Sequence, residues 1–117
     1  METENKLLSS PYGRKKLREF LRILRLELPP IVPVEVRTGN PGKDNQAYLH
    51  LLFDENGNPK KFRMVIDRNL HTDALQHVIA HEWAHALGWG TESGRLRPHG
   101  PEWGMFMHLV WTALVED

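Results

Sequence analysis

The chain has 117 residues, 40% hydrophobic and 26% charged, with 15 basic and 15 acidic side chains that balance to a formal charge of zero. That length and composition fit one compact domain over residues 1–117, and the neutral balance gives no global pull towards nucleic acid or membrane. Cysteine is absent, which excludes disulfides and thiolate metal sites, so any metal must be held by imidazole and carboxylate.

Residues 1–10 contain no apolar core run of the kind a signal peptide needs and are expected to be loosely ordered. No stretch approaches the roughly 18 apolar residues that span a bilayer. The expected location is cytoplasmic, in a bacterium or with a virus inside its host cell. From Gly13 to about Leu28, Leu17, Phe20, Leu21, Leu24 and Leu28 recur at helical spacing, and Pro29 and Pro30 end the run. Ile31 to Arg37 reads as a strand, irregular or at an edge because Pro33 lies inside it. Ala47 to Phe53 is a second strand, and the Asn56-Gly57 pair predicts a hairpin that returns through Phe62 to Ile66. Thr72 or Asp73 is placed to cap a helix running to about Leu87 and stopping at Gly88, with Gln76 completing a capping box. A turn-rich loop follows, and Pro101 suits the first turn of a last helix through Val115. Helix, three strands, helix, loop, helix is an α+β order, with helices packed on a small three-stranded sheet.

The second helix carries His81-Glu82-Trp83-Ala84-His85, an H-E-x-x-H pentapeptide. Residues i and i+4 share a helix face, so both imidazoles can reach one metal ion. Glu82 adjoins the first ligand and is placed to act on water at the metal's open side as a general base. The bland alternative is a helix whose histidines merely sit at a surface or in a satisfied core. A catalytic zinc usually keeps three protein ligands. The metzincin continuation requires histidine at position 91, and this chain has Thr91. Glu92, His99, Glu102 and His108 remain as candidates; the loop from Gly88 to Pro98 is long enough to fold His99 back to the metal.

His81-Glu82-x-x-His85, a loop containing Gly94-Arg95, then Pro98-His99-Gly100-x-x-Trp103 resembles the core of the SprT-like metallopeptidases, which include the Spartan-type DNA–protein crosslink proteases. The resemblance is specific over residues 81 to about 107. It implies a zincin-like minimal domain and one Zn2+ per chain held by His81, His85 and His99. It also implies Glu82 as catalytic base and hydrolysis of peptide bonds in protein substrates, DNA-associated proteins among them. Many members carry a cysteine-rich zinc ribbon after this domain; a chain without cysteine is expected to be a minimal form.

Arg14, Arg18, Arg22 and Arg25 mark one face of the first helix, where Glu19 is the only acid between positions 13 and 26. This stripe reads either as a phosphate contact or as an ordinary solvated face. It motivates a rival expectation, a zinc-binding nucleic-acid adaptor with little peptidase activity. A third reading keeps the peptidase but makes Glu102 or Glu92 the third ligand, as in gluzincin-type sites. Trp103 is expected to pack behind the ligands, and the other tryptophans to serve the core. His50, His71, His77 and His108 have no ligand spacing, although His77 lies at i−4 from His81.

Overall fold

The structure, a computed structural model, describes residues 6–89 and 101–116. Its first helix, α1 (Pro11–Glu27), starts two residues earlier than the apolar spacing alone predicts. Ser10 is extended and its hydroxyl accepts from the Gly13 N–H at 3.1 Å, while Pro11 occupies the first turn, where its missing N–H costs nothing. Leu17, Phe20, Leu21 and Leu24 are the buried stripe.

The segment ahead of α1 is not loosely ordered throughout. Leu8 is fully buried, its N–H donates to the Leu70 carbonyl at 2.8 Å, and the Thr72 N–H donates to the Lys6 carbonyl at 2.8 Å. Residues 6–10 are thus held against the connection that leads into the second helix. A Cβ on Gly13 would overlap the backbone of Leu7 and Leu8, so only glycine lets α1 pass this close.

The sheet has strands β1 (Val34–Gly39), β2 (Ala47–Phe53) and β3 (Pro59–Asp67) in the order β1-β3-β2. β1 begins three residues later than expected, after Pro33, and lies at an edge as that proline suggested. β2 and β3 form the antiparallel hairpin; Gly57 takes φ 81°, and the Asp54 carboxylate accepts from the Asn56 and Asn58 N–H groups. β1 pairs with β3 in parallel, so the sheet is mixed. Phe62, Met64 and Ile66 of the central strand point into the core, joined by Val34 and, less deeply, by Leu49 and Leu51.

The opposite face of the sheet carries Glu35 and Arg37 on β1, Lys61 and Arg63 on β3, and Tyr48 stacked on His50 on β2. Glu35 is the hub: Arg63 Nε lies 2.8 Å from it, Lys61 Nζ 3.0 Å and Arg37 Nε 3.2 Å. The hydrogen bonds from Arg63, then Lys61, hold the Glu35 carboxyl down at about 2. A depressed carboxyl favours the fold above its unfolded value and loses that contribution as pH falls through the folded one. Acid titration of the parent beside Glu35→Gln is expected to show an extra loss of stability in the parent between the ordinary 4.5 and about 2. Its side chain is 30% exposed, so solvent screens the pair interactions and the effect is modest.

The connection after β3 enters a single 3-10 turn (Thr72–Ala74) and then α2 (Leu75–Gly88). The expected Thr72 or Asp73 cap is not used. His71 Nδ1 accepts from the Asp73 N–H at 3.2 Å, and the α2 cap position, Ala74, offers no side-chain bond. The extra turn brings the chain into α2 with a helical cap residue, which leaves the Gln76 capping-box role without a partner site. The last helix, α3 (Pro101–Glu116), packs on α2. Among the described residues, no helix is long and apolar enough to cross a membrane.

Candidate metal centre

α2 is apolar on most of its circumference. Leu75, Val78, Ile79, Ala80, Trp83, Ala84, Ala86 and Gly88 are all buried, which is the pattern of a helix enclosed on several sides. Small residues at Ala80, Ala84 and Gly88 follow i, i+4 spacing. A Cβ at Gly88 would already meet the Phe106 ring of α3 at 3.4 Å. The close approach of α3 sets Trp103 against the pair of histidines.

Trp83 anchors the other side of the helix. It is fully buried, and its indole Nε1–H donates to the Leu28 carbonyl at 2.8 Å, just past the end of α1. Trp83 lies two positions after His81, about 200° around the helix. The side that fixes α2 is therefore opposite the side that presents the imidazoles.

His81 and His85 are half-buried, and their Nε2 atoms lie 3.2 Å apart. That spacing suits an N–H···N hydrogen bond. It also suits a shared ion: two nitrogens held at roughly 2.0–2.1 Å around one tetrahedral metal stand roughly 3.3–3.4 Å apart. The Trp103 ring forms a wall beside them, with centroids 5.1 Å from His81 and 5.5 Å from His85. Trp103 thus packs behind the pair as its position in the sequence suggested.

Glu82 is half-buried, and burial raises its carboxyl above the ordinary value. An acid displaced upwards in this way holds a proton more readily, which suits a group that must take one from water near neutral pH. Among the described residues, no three His, Cys, Asp or Glu side chains converge as a metal-binding group. His99 and Glu92 lie outside the described residues, and so does the side chain of Glu102. His108 is exposed and borders a hollow beside Glu27 and Leu28. The His77 and Trp111 rings meet edge to face, with centroids 6.2 Å apart, and His50 belongs to the outer face of the sheet.

Two site-shaping contacts were not anticipated from the sequence. One is the Trp83–Leu28 bond. The other is Arg25, whose Nη2 donates to the Val34 carbonyl at 2.8 Å. Phe62 N–H donates to the Pro33 carbonyl and Arg68 N–H to the Gly39 carbonyl. Odd-numbered β1 residues therefore face β3, and Val34, Val36 and Thr38 face the open edge. Arg25 caps that edge at its first carbonyl. On the other side of the sheet, Asp67 N–H donates to the Gln46 carbonyl. By antiparallel alternation, Ala47, Leu49 and Leu51 turn their backbone groups outwards. β2 is also the strand nearest α2.

A small sheet backed by a helix that presents two imidazoles and a half-buried carboxylate on one stretch fits a metallopeptidase-type domain. The model of the SprT-like family matches residues 48–116, more than half of the chain, and the chain belongs to that family. No curated protein and no solved structure gives a match.

Proposed function

We propose that the protein is a zinc-dependent endopeptidase. The observation that carries this reading is the pair of Nε2 atoms on α2, 3.2 Å apart and flanked by the half-buried Glu82. His81 and His85 would hold the ion, and His99, in the Pro98-His99-Gly100-x-x-Trp103 segment that resembles the family core, would supply the third ligand. When bound, zinc supplies a Lewis acid that acidifies water and polarises the scissile carbonyl. Glu82 takes the proton from the attacking water and delivers it to the amide nitrogen as the carbon–nitrogen bond breaks. Trp103 restricts the imidazoles to one orientation, which limits the reorganisation needed at each turnover.

Substrate would lie extended along β2. Its edge presents alternate backbone groups of Ala47, Leu49 and Leu51, whereas Arg25 already occupies the first outward carbonyl of β1. Strand addition supplies affinity through the main chain and leaves sequence preference to the side-chain pockets.

Metal analysis of protein purified without added metal tests the reading. About one zinc per chain is expected, together with hydrolysis of an unfolded protein that a chelator stops. His99→Ala is expected to bind zinc more weakly than the parent. Equal zinc affinity in that variant would pass the third position to Glu92 or Glu102, and absence of zinc from the parent would remove the proposal.

A further inference from the structure

A groove made of two hollows that share Arg25 lies along the exposed side of α1 and beside the segment that follows it. Its upper part, about 570 Å³, lies among Arg18, Leu21, Arg22, Arg25 and Leu26. Its lower part, about 330 Å³, lies among Pro30, Ile31, Pro33, Val34 and Trp83, and Arg25 borders both. The two parts differ in chemistry. Above, Arg18 and Arg22 are exposed. Below, the prolines have no N–H to donate, and the indole N–H of Trp83 is already bonded to the Leu28 carbonyl. The lower wall is therefore apolar and poor in donors. Leu26, 76% exposed, and Ile31, 61% exposed, add apolar surface beside it.

The arginine stripe read from the sequence divides here. Arg14 reaches back to the Ser9 carbonyl, while Arg18, Arg22 and Arg25 line the groove. A surface built for single-stranded nucleic acid pairs its cations with aromatic faces on which bases stack. This one pairs them with leucine, isoleucine and proline. The complementary ligand is a carboxylate-bearing chain with a bulky apolar anchor.

We propose that this groove docks a partner protein through a short segment in which a large apolar residue is flanked by acidic ones. The apolar side chain enters the proline-lined part over Trp83, and the acids meet Arg18 and Arg22. Trp83 lies on the side of α2 opposite the imidazoles, so a docked partner leaves the cleft free. Docking of this kind raises the local concentration of whatever the partner carries. It stands on the groove alone and is independent of the peptidase reading.

The test is selection from a displayed library of random peptides against the full chain, followed by fluorescence anisotropy of the enriched peptides. Arg22→Glu and Ile31→Asp alter exposed positions, and unchanged thermal melting would verify that both variants fold. Enriched peptides are expected to combine acids with a bulky apolar residue. Each variant is expected to weaken them at least about tenfold, and added salt to weaken them further. Enrichment of peptides that bind both variants as tightly as the parent would overturn the proposal. So would failure to enrich that composition, or an oligo-dT strand that binds in an Arg22-dependent way where such peptides do not. Hydrolysis of a general unfolded substrate is expected to be the same in Arg22→Glu as in the parent, so failure of the docking idea and failure of the peptidase idea give different results.

Discussion

Exchange of Glu82 for glutamine is expected to slow hydrolysis by about 10²–10⁴-fold, the usual contribution of a positioned general base, while zinc content stays at the parent's level. Glutamine keeps the shape and hydrogen-bonding reach of the side chain but cannot take a proton from water. Burial already disfavours the charged form of Glu82, so a neutral amide removes a desolvation cost and the fold should be at least as stable. Parallel measurement of turnover, metal content and melting temperature separates the possibilities. Loss of activity with zinc and stability intact is the expected result. Retained turnover would exclude Glu82 as the base, and loss of zinc along with activity would make it a structural support for the ligands.

Trp83→Ala is expected to be the most damaging single change in the described core. The residue is fully buried and is the largest side chain in that state. Truncating such an aromatic typically costs about 3–5 kcal/mol, and it also strands the Leu28 carbonyl. A domain with a total stability of roughly 5–15 kcal/mol loses a large share of it. Trp83→Phe should recover most of the packing and forfeit mainly the hydrogen bond, about 1–3 kcal/mol if the carbonyl stays dry. Urea denaturation of the parent and both variants checks the order: a Phe variant as stable as the parent would mean that the Leu28 bond contributes nothing, and an Ala variant as stable as the Phe variant would mean that the ring packing contributes nothing.

Local signals in the sequence were legible where a few neighbouring residues decide the structure. The bounds of β2 agree with the structure, and Asn56-Gly57 marked the turn because glycine tolerates the positive φ found there. The spacing of His81 and His85 placed both rings on one helix face, and their nitrogens do converge. Ser10-Pro11 carried a helix start that apolar spacing alone did not use. Contacts between distant residues were not legible. Trp83 meets Leu28 across 55 positions, and nothing near either residue announces the other. The parallel pairing of β1 with β3 was hidden for a similar reason, since alternation reveals which face a strand buries and not which strand it joins. The cap expected of Thr72 or Asp73 on α2 is absent because the chain inserts a 3-10 turn before that helix, and His71 caps the turn instead.

Among the described residues no strand pairs with the outer edge of β2, and that edge has a cost in solution. Ala47–Phe53 reads Ala-Tyr-Leu-His-Leu-Leu-Phe, seven residues with no proline, no glycine and no permanently charged side chain. A segment of that composition with unpaired backbone groups is what cross-β fibrils are built from. The β2 of another molecule satisfies the same outward N–H and C=O groups as a bound peptide would. On the proposed reading, solubility and substrate binding therefore draw on the same seven residues. A lysine placed on this edge, the common natural protection against stacking, would guard the protein from fibril growth and, on the proposed reading, would also obstruct strand addition by a substrate.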